Sequence, residues 1–172
     1  VEVRVLIDAV GANYSWPPVA RRLREHGVSV ALFNPRLIPR WLPALNLRNH
    51  RKILVVDGVL GFSGGFNIKR EYWGLEADTR PFRDLHFQLT GPRGAHLSDT
   101  FVNDWRFTTG ESLRGERWFP VLASSGKMFA RGIEAGPDEG FERLRWVIIG
   151  ALNAARRSVC IVTPYFLPDT GI

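Results

Sequence analysis

The stretch Asn49-His50-Arg51-Lys52-Ile53-Leu54-Val55-Val56-Asp57, continued by Gly64-Gly65-Phe66-Asn67, orders the reading of this chain. Ile53 to Val56 is an apolar run, and Asp57-Gly58 behind it is a strong two-residue hairpin signal. Arg48 to Val56 therefore reads as a strand that turns back into a second strand, Val59 to Ser63. Residues two apart on a strand share a face, so His50 and Lys52 are expected on one side. An imidazole beside an ammonium is unfavourable unless an anion lies between them. That makes the pair a candidate phosphate site. Lys52 would supply positive charge, and His50 would attack phosphorus or move a proton. Gly64 and Gly65 remove side chains where backbone N–H groups could approach phosphate oxygens, and Asn67 adds an amide donor. Asp57 has the opposite parity and sits in the turn, which reads as a structural position.

Working outward, Val3, Val5 and Ile7 form a buried strand ending at Asp8 and a Gly11-Ala12-Asn13 loop. Pro17-Pro18 opens a helix with Val19, Ala20 and Leu23 inward and Arg21, Arg22 and Arg24 outward. Gly27 stops it, and Val28 to Phe33 is the next strand. Strand, helix and strand within about 30 residues is the spacing of a sheet that is at least partly parallel. Pro35, Pro39 and Pro43 keep residues 34–47 out of a regular helix. Further on come a strand from Asp84 to Thr90 and a helix from about Pro92 to Phe107, with Leu97, Phe101, Val102 and Trp105 at helical spacing. Residues 108–132 read as irregular. From Pro137 a second pattern starts: a helix with Phe141, Leu144, Ile148, Ala151 and Leu152 on one face, then a strand from Ser158 to Phe166. That helix and strand cannot bury both faces alone.

The chain has 172 residues, 45% of them apolar and 23% charged, which excludes a disordered or low-complexity protein. A single cysteine, Cys160, excludes a disulfide framework and a cysteine-cluster metal site. No apolar run approaches the roughly 18 residues that a membrane-spanning helix needs. A net charge of +6 and a pI near 10.2 favour an anionic partner, either phospholipid headgroups or nucleic acid. The absence of an initiator Met before Val1 and the ending at Ile172, inside what reads as a new element, suggest an internal piece of a longer protein.

The spacing H-x-K-x(4)-D-x(6)-G-G-x-N resembles the signature of the phospholipase D superfamily, with every fixed position occupied. The wider context, "NLRNHRKILVVDGVLGFSGGFNI", "RDLHFQLTGP", "DWRFTTGE" and "SVCIVTPYFLPD", resembles the bacterial cardiolipin synthase family over nearly the whole chain. The resemblance implies an α/β fold: a phospholipase D-like lobe with a mixed sheet flanked by helices, plus the start of a second similar lobe. Residues 1–107 would be the first lobe without its N-terminal strand, 108–136 an inter-lobe segment and 137–172 the truncated start of the second. It also implies a metal-independent, cofactor-free phosphatidyl transfer between phosphatidylglycerol molecules through a phosphohistidine, at the bacterial inner membrane. In that scheme His50 is the nucleophile, Lys52 and Asn67 hold phosphoryl oxygens, and Asp84 supports the histidine through its other ring nitrogen. His86, one strand period later, is a candidate partner. The second histidine would come from the second lobe of the same polypeptide, so this chain alone is expected to be close to inactive.

Plainer readings stand beside these. His50 and Lys52 could mark a solvated strand end, and Asp84 a strand-edge charge. His26 reads as a helix C-terminal dipole partner, His96 as a surface helix residue and Cys160 as a small core side chain. Residues 37–42 and Trp118-Phe119 either touch lipid or cover the core, and Tyr165 and Phe166 either line a cleft or simply end a strand. Three functions compete: a phosphatidyltransferase acting on anionic phospholipid at a membrane surface, a hydrolase of phospholipid or nucleic acid, and a non-catalytic half-site that binds anionic lipid. The bilobal layout argues against nucleic acid. A homodimer could bring a second His50, but the helix and strand after Pro137 argue against a self-sufficient lobe.

Overall fold

In the computed structural model, the described residues are 1–14, 16–34, 48–68, 72, 82–124, 126–128, 130–135 and 142–163. The chain divides into two units, Val1–Gly132 and Ile133–Ile172.

In the first unit β1 (Arg4–Asp8) and β2 (Ser29–Phe33) pair in parallel, Arg4 opposite Ser29 and Asp8 opposite Phe33. Between them runs α1 (Val19–Glu25), entered through Pro17-Pro18 and closed where Gly27 takes a φ of +74°. The predicted strand, helix, strand unit is therefore present. His26 caps α1, its Nδ1 lying 2.8 Å from the carbonyl of Arg22, a helix C-terminal role as expected.

A second, antiparallel sheet holds β3 (Ile53–Val56), β4 (Leu60–Gly64) and β5 (His86–Thr90) in that order. Both Asp57 and Gly58 take positive φ, +53° and +67°, and the Val59 N–H donates to Val56 O at 3.0 Å, which closes the hairpin. The parallel and antiparallel pairings that the sequence predicts thus lie in two separate ladders. β3 is shorter than the predicted Arg48–Val56 strand, because the ladder with β4 ends at the Ile53–Ser63 pair. Beyond that point β4 is paired with β5 alone, Gly64 opposite His86.

The long helix α2 (Pro92–Thr109) packs against β2 and against all three strands of the second sheet, so it is the element shared by both sheets. Pro92 opens it at a first-turn position, and Gly110 closes it in the left-handed region, donating to Arg106 O at 2.8 Å. Its close approach to β4 requires two glycines. A Cβ on Gly61 would sit 2.8 Å from Leu97 Cδ1, and one on Gly94 would sit 3.1 Å from Val59 O.

Trp105 is the buried anchor of the predicted apolar face, while Leu97, Phe101 and Val102 are half-buried. Emptying such a tryptophan site costs about 3–5 kcal/mol. The Trp105 Nε1–H donates to Glu111 Oε2 at 2.8 Å, and Glu111 also accepts from Arg4 Nη2 at 2.8 Å. Arg4 in turn lies over the Trp105 and Trp118 rings at 5.9 and 5.8 Å. This node ties β1, the end of α2 and the irregular residues 110–124 together. Trp118 and Phe119 are half-buried, and a Cβ on Gly58 would collide with Pro120 at 2.5 Å, so this segment packs over the β3–β4 turn.

The second unit contains α3 (Arg143–Ala154), which has no buried residue; Leu144, Trp146, Val147 and Ile148 are all exposed. The strand predicted from Ser158 is not formed over 158–163, since these residues have no neighbour to complete a ladder among the described residues. For the same reason Cys160 is exposed, where a core position was expected. His96 is exposed on α2, as expected. Residues 37–42, Phe141, Tyr165 and Phe166 lie outside the described residues. Among the described residues no helix is long and apolar enough to cross a membrane.

Candidate phosphoryl-transfer site

His50 and Lys52 occupy the extended segment that leads into β3, before its ladder begins. Lys52 Nζ donates to the carbonyl of His50 at 2.9 Å, which folds the ammonium back along the chain toward the histidine. Partial burial, then the charges of Lys52 and Arg48, hold the His50 imidazole below its ordinary pKa; Asp8 acts in the opposite sense. The shift favours the neutral imidazole, the form that can act as nucleophile or base. Burial also depresses Lys52, with Asp84 opposing and Arg48 reinforcing the effect.

Asp8, at the carboxyl end of β1, accepts from Arg48 Nη2 at 2.8 Å and from the Gly11 N–H at 3.1 Å. The pair joins the carboxyl end of β1 to the segment that leads into β3. Carboxyl ends of parallel strands are where open α/β sheets place ligands, and that was the one sequence signal available for Asp8.

Asp84 precedes β5. Its Oδ1 accepts the Leu85 N–H at 2.7 Å, and its charge acts on Lys52. Among the described residues no hydrogen bond joins it to the His50 ring. Gly65 lies directly against it, and a Cβ there would come within 2.2 Å of both Asp84 carboxylate oxygens. At Gly64 a Cβ would meet Leu85 O at 2.3 Å and the His86 Cα at 2.6 Å. The Gly65 N–H is already used, donating to Leu85 O at 3.0 Å. The glycine pair therefore lets the Asp84–His86 segment approach, and the Gly65 amide donates to that segment.

Asn67 Nδ2 donates to Tyr72 Oη at 3.0 Å, which fixes the amide and leaves its second N–H. The His86 ring lies 5.3 Å from that of Phe66 in a tilted arrangement, on the strand beside Gly64. Asp57 stays in the hairpin turn.

The sequence reading did not single out the residues flanking His50. Asn49 Nδ2 and Arg51 Nη1 both donate to Asp104 of α2, at 2.7 Å and 2.6 Å. The signal was their shared odd parity, opposite to that of His50 and Lys52.

No family model matches the chain, and no solved structure matches it. Curated proteins do. The chain is 36% identical to a cardiolipin synthase of Alkalihalophilus pseudofirmus over 174 aligned residues, covering 100% of this chain and 35% of that protein. It is 35% identical to cardiolipin synthase 2 of Bacillus anthracis, covering 100% of this chain and 34% of that protein. A cardiolipin synthase of Staphylococcus aureus is 33% identical over 98% of the chain and 35% of its own length. The chain thus spans about a third of the length of the relatives it matches. With that similarity running through the His50 motif and along the entire chain, this sequence is similar throughout to about a third of a cardiolipin synthase.

Proposed function

We propose that this chain is the part of a phosphatidyltransferase of cardiolipin synthase type that carries the nucleophilic histidine. The observation that carries the reading is the similarity to cardiolipin synthases through the whole chain, and it is supported by His50 held beside Lys52. In the proposed reaction an imidazole nitrogen of His50 attacks the phosphorus of one phosphatidylglycerol. The bond from phosphorus to the glycerol headgroup breaks, and the departing glyceryl oxygen takes a proton. The hydroxyl of a second phosphatidylglycerol then attacks the phosphohistidine, loses its proton to the base and frees His50. Cardiolipin and glycerol are the products.

Lys52 and the remaining Asn67 N–H stabilise the phosphoryl oxygens, and Asp84 favours the charged form of Lys52 against its burial. The acid that protonates the leaving alcohol is assigned to a second His-Lys element outside these residues, so the chain alone is close to inactive. The relatives, about three times longer, leave room for such a second lobe, corresponding to the proposed division at 108–136. The basic excess suits the surface of an anionic membrane.

The test is incubation of the complete gene product with phosphatidylglycerol vesicles, following cardiolipin, glycerol and acid-labile phosphohistidine. Cardiolipin formation that His50→Ala abolishes supports the reading. Cleavage of DNA with phosphatidylglycerol left untouched would replace it with the hydrolase, and robust His50-dependent synthesis by the 172-residue chain would remove the requirement for a second lobe.

A further inference from the structure

The β3 ladder ends at Ile53, so no neighbouring strand holds the backbone of residues 49–51 among the described residues, although His50 lies in their midst. A carboxylate from another element is bonded there. Asp104 of α2 accepts from Asn49 Nδ2 at 2.7 Å through Oδ2 and from Arg51 Nη1 at 2.6 and 2.7 Å through both oxygens. Asn49 closes the arrangement, its Oδ1 accepting the Arg51 N–H at 3.1 Å. In an extended segment alternate side chains point to opposite sides. With 49 and 51 drawn to α2, His50 and Lys52 are turned away from it.

We propose that Asp104 is a positioning residue for the reaction: through Asn49 and Arg51 it fixes the direction of His50 and Lys52 where the sheet does not reach. Asp104 touches neither the phosphate nor the histidine. It acts on the segment from both sides of His50, and the charged pair with Arg51 is largely shielded, with side-chain exposures of 17% and 31%. The inference rests on His50 being the nucleophile. Small misplacements of such a group cost rate more than binding, on the order of 10²-fold for about 1 Å.

The experiment uses the complete gene product with Asp104→Ala, Asp104→Asn, Asp104→Glu and Arg51→Met. Glu111→Ala is the comparison, loosening the end of α2 without touching 49–51. Cardiolipin formation gives kcat and KM per folded protein, and NMR titration follows the His50 ring independently of activity. The expected result for Asp104→Ala is a kcat at least tenfold lower, KM within about twofold and, because the released ring loses the burial that depresses it, a His50 pKa moved up toward its ordinary value. Asp104→Glu restores part of the rate, and Glu111→Ala leaves kcat unchanged. A kcat loss no larger than in Glu111→Ala, or an unshifted His50 titration, overturns the positioning role. If Asp104→Ala does not fold, Asp104→Asn and Arg51→Met decide by the same criteria. Full activity in His50→Ala would sink the nucleophile assignment instead, and the titration would still report whether Asp104 orients the ring.

Discussion

Arg48 Nη2 donates to Asp8 Oδ2 at 2.8 Å, and this pair joins the carboxyl end of the parallel β1 to the chain two residues before His50. The two groups push the histidine in opposite directions, Arg48 lowering its pKa and Asp8 raising it. The pair thus tunes the imidazole as well as anchoring its segment.

Asp8→Asn removes the charge that favours the imidazolium and leaves Arg48 and Lys52 opposing it. The His50 titration should therefore move further down. NMR titration of the ring checks this. An upward shift would mean that the Asp8 field does not reach His50.

Lys52→Met should do the reverse. Loss of the nearby ammonium raises the His50 pKa, and the acid limb of the activity profile moves up with it, so that less neutral base is present at pH 6. Because Lys52 is also assigned to the phosphoryl oxygens, kcat should fall by about 10²–10³-fold. A pH–rate series on the variant separates the two effects.

The glycine pair gives a contrast between a side-chain and a backbone obstacle. Gly65→Ala meets the Asp84 carboxylate first and should cost about 1–3 kcal/mol in urea unfolding, most of it recovered in Gly65→Ala/Asp84→Ala. Gly64→Ala meets the backbone of Leu85 and His86, and Asp84→Ala should not rescue it. Equal rescue of both would contradict the close approaches described above.

Glu111 is held below the ordinary carboxylate pKa, first by its hydrogen bonds with Arg4 and then by that with Trp105. A depressed folded-state pKa contributes stability above the unfolded-state value, which is lost as pH falls through the folded-state value. Glu111→Gln should accordingly lower the unfolding midpoint at pH 7. The difference from the parent should shrink below about pH 4.5. A gap independent of pH would assign the loss to packing alone.

Much of the first unit was legible in local pattern. Alternating Val3, Val5 and Ile7, the Pro17-Pro18 entry and the Gly27 stop specify the parallel unit, and Asp57-Gly58 specifies the hairpin, because these depend on φ preferences and on nearest neighbours. The motif from His50 to Asn67 was equally legible, since it lies in one continuous stretch. The strand at Ser158 and the burial of Cys160 were not, because a strand requires a partner that local sequence does not name.

By itself, then, the sequence determined the elements around the site, the His-Lys pairing and the family that the pair resembles. Tertiary structure decided what surrounds them. Asp8, about forty residues away, and Asp104, more than fifty away, reach the histidine segment only because β1 and α2 are brought beside it. Gly64 and Gly65, which from sequence looked like openings for a phosphate, lie against Asp84 and the His86 backbone. Side-chain identity within one stretch records which groups can do chemistry, whereas their charge state is shifted first by the burial that folding imposes, and their direction is held by carboxylates that only folding brings close.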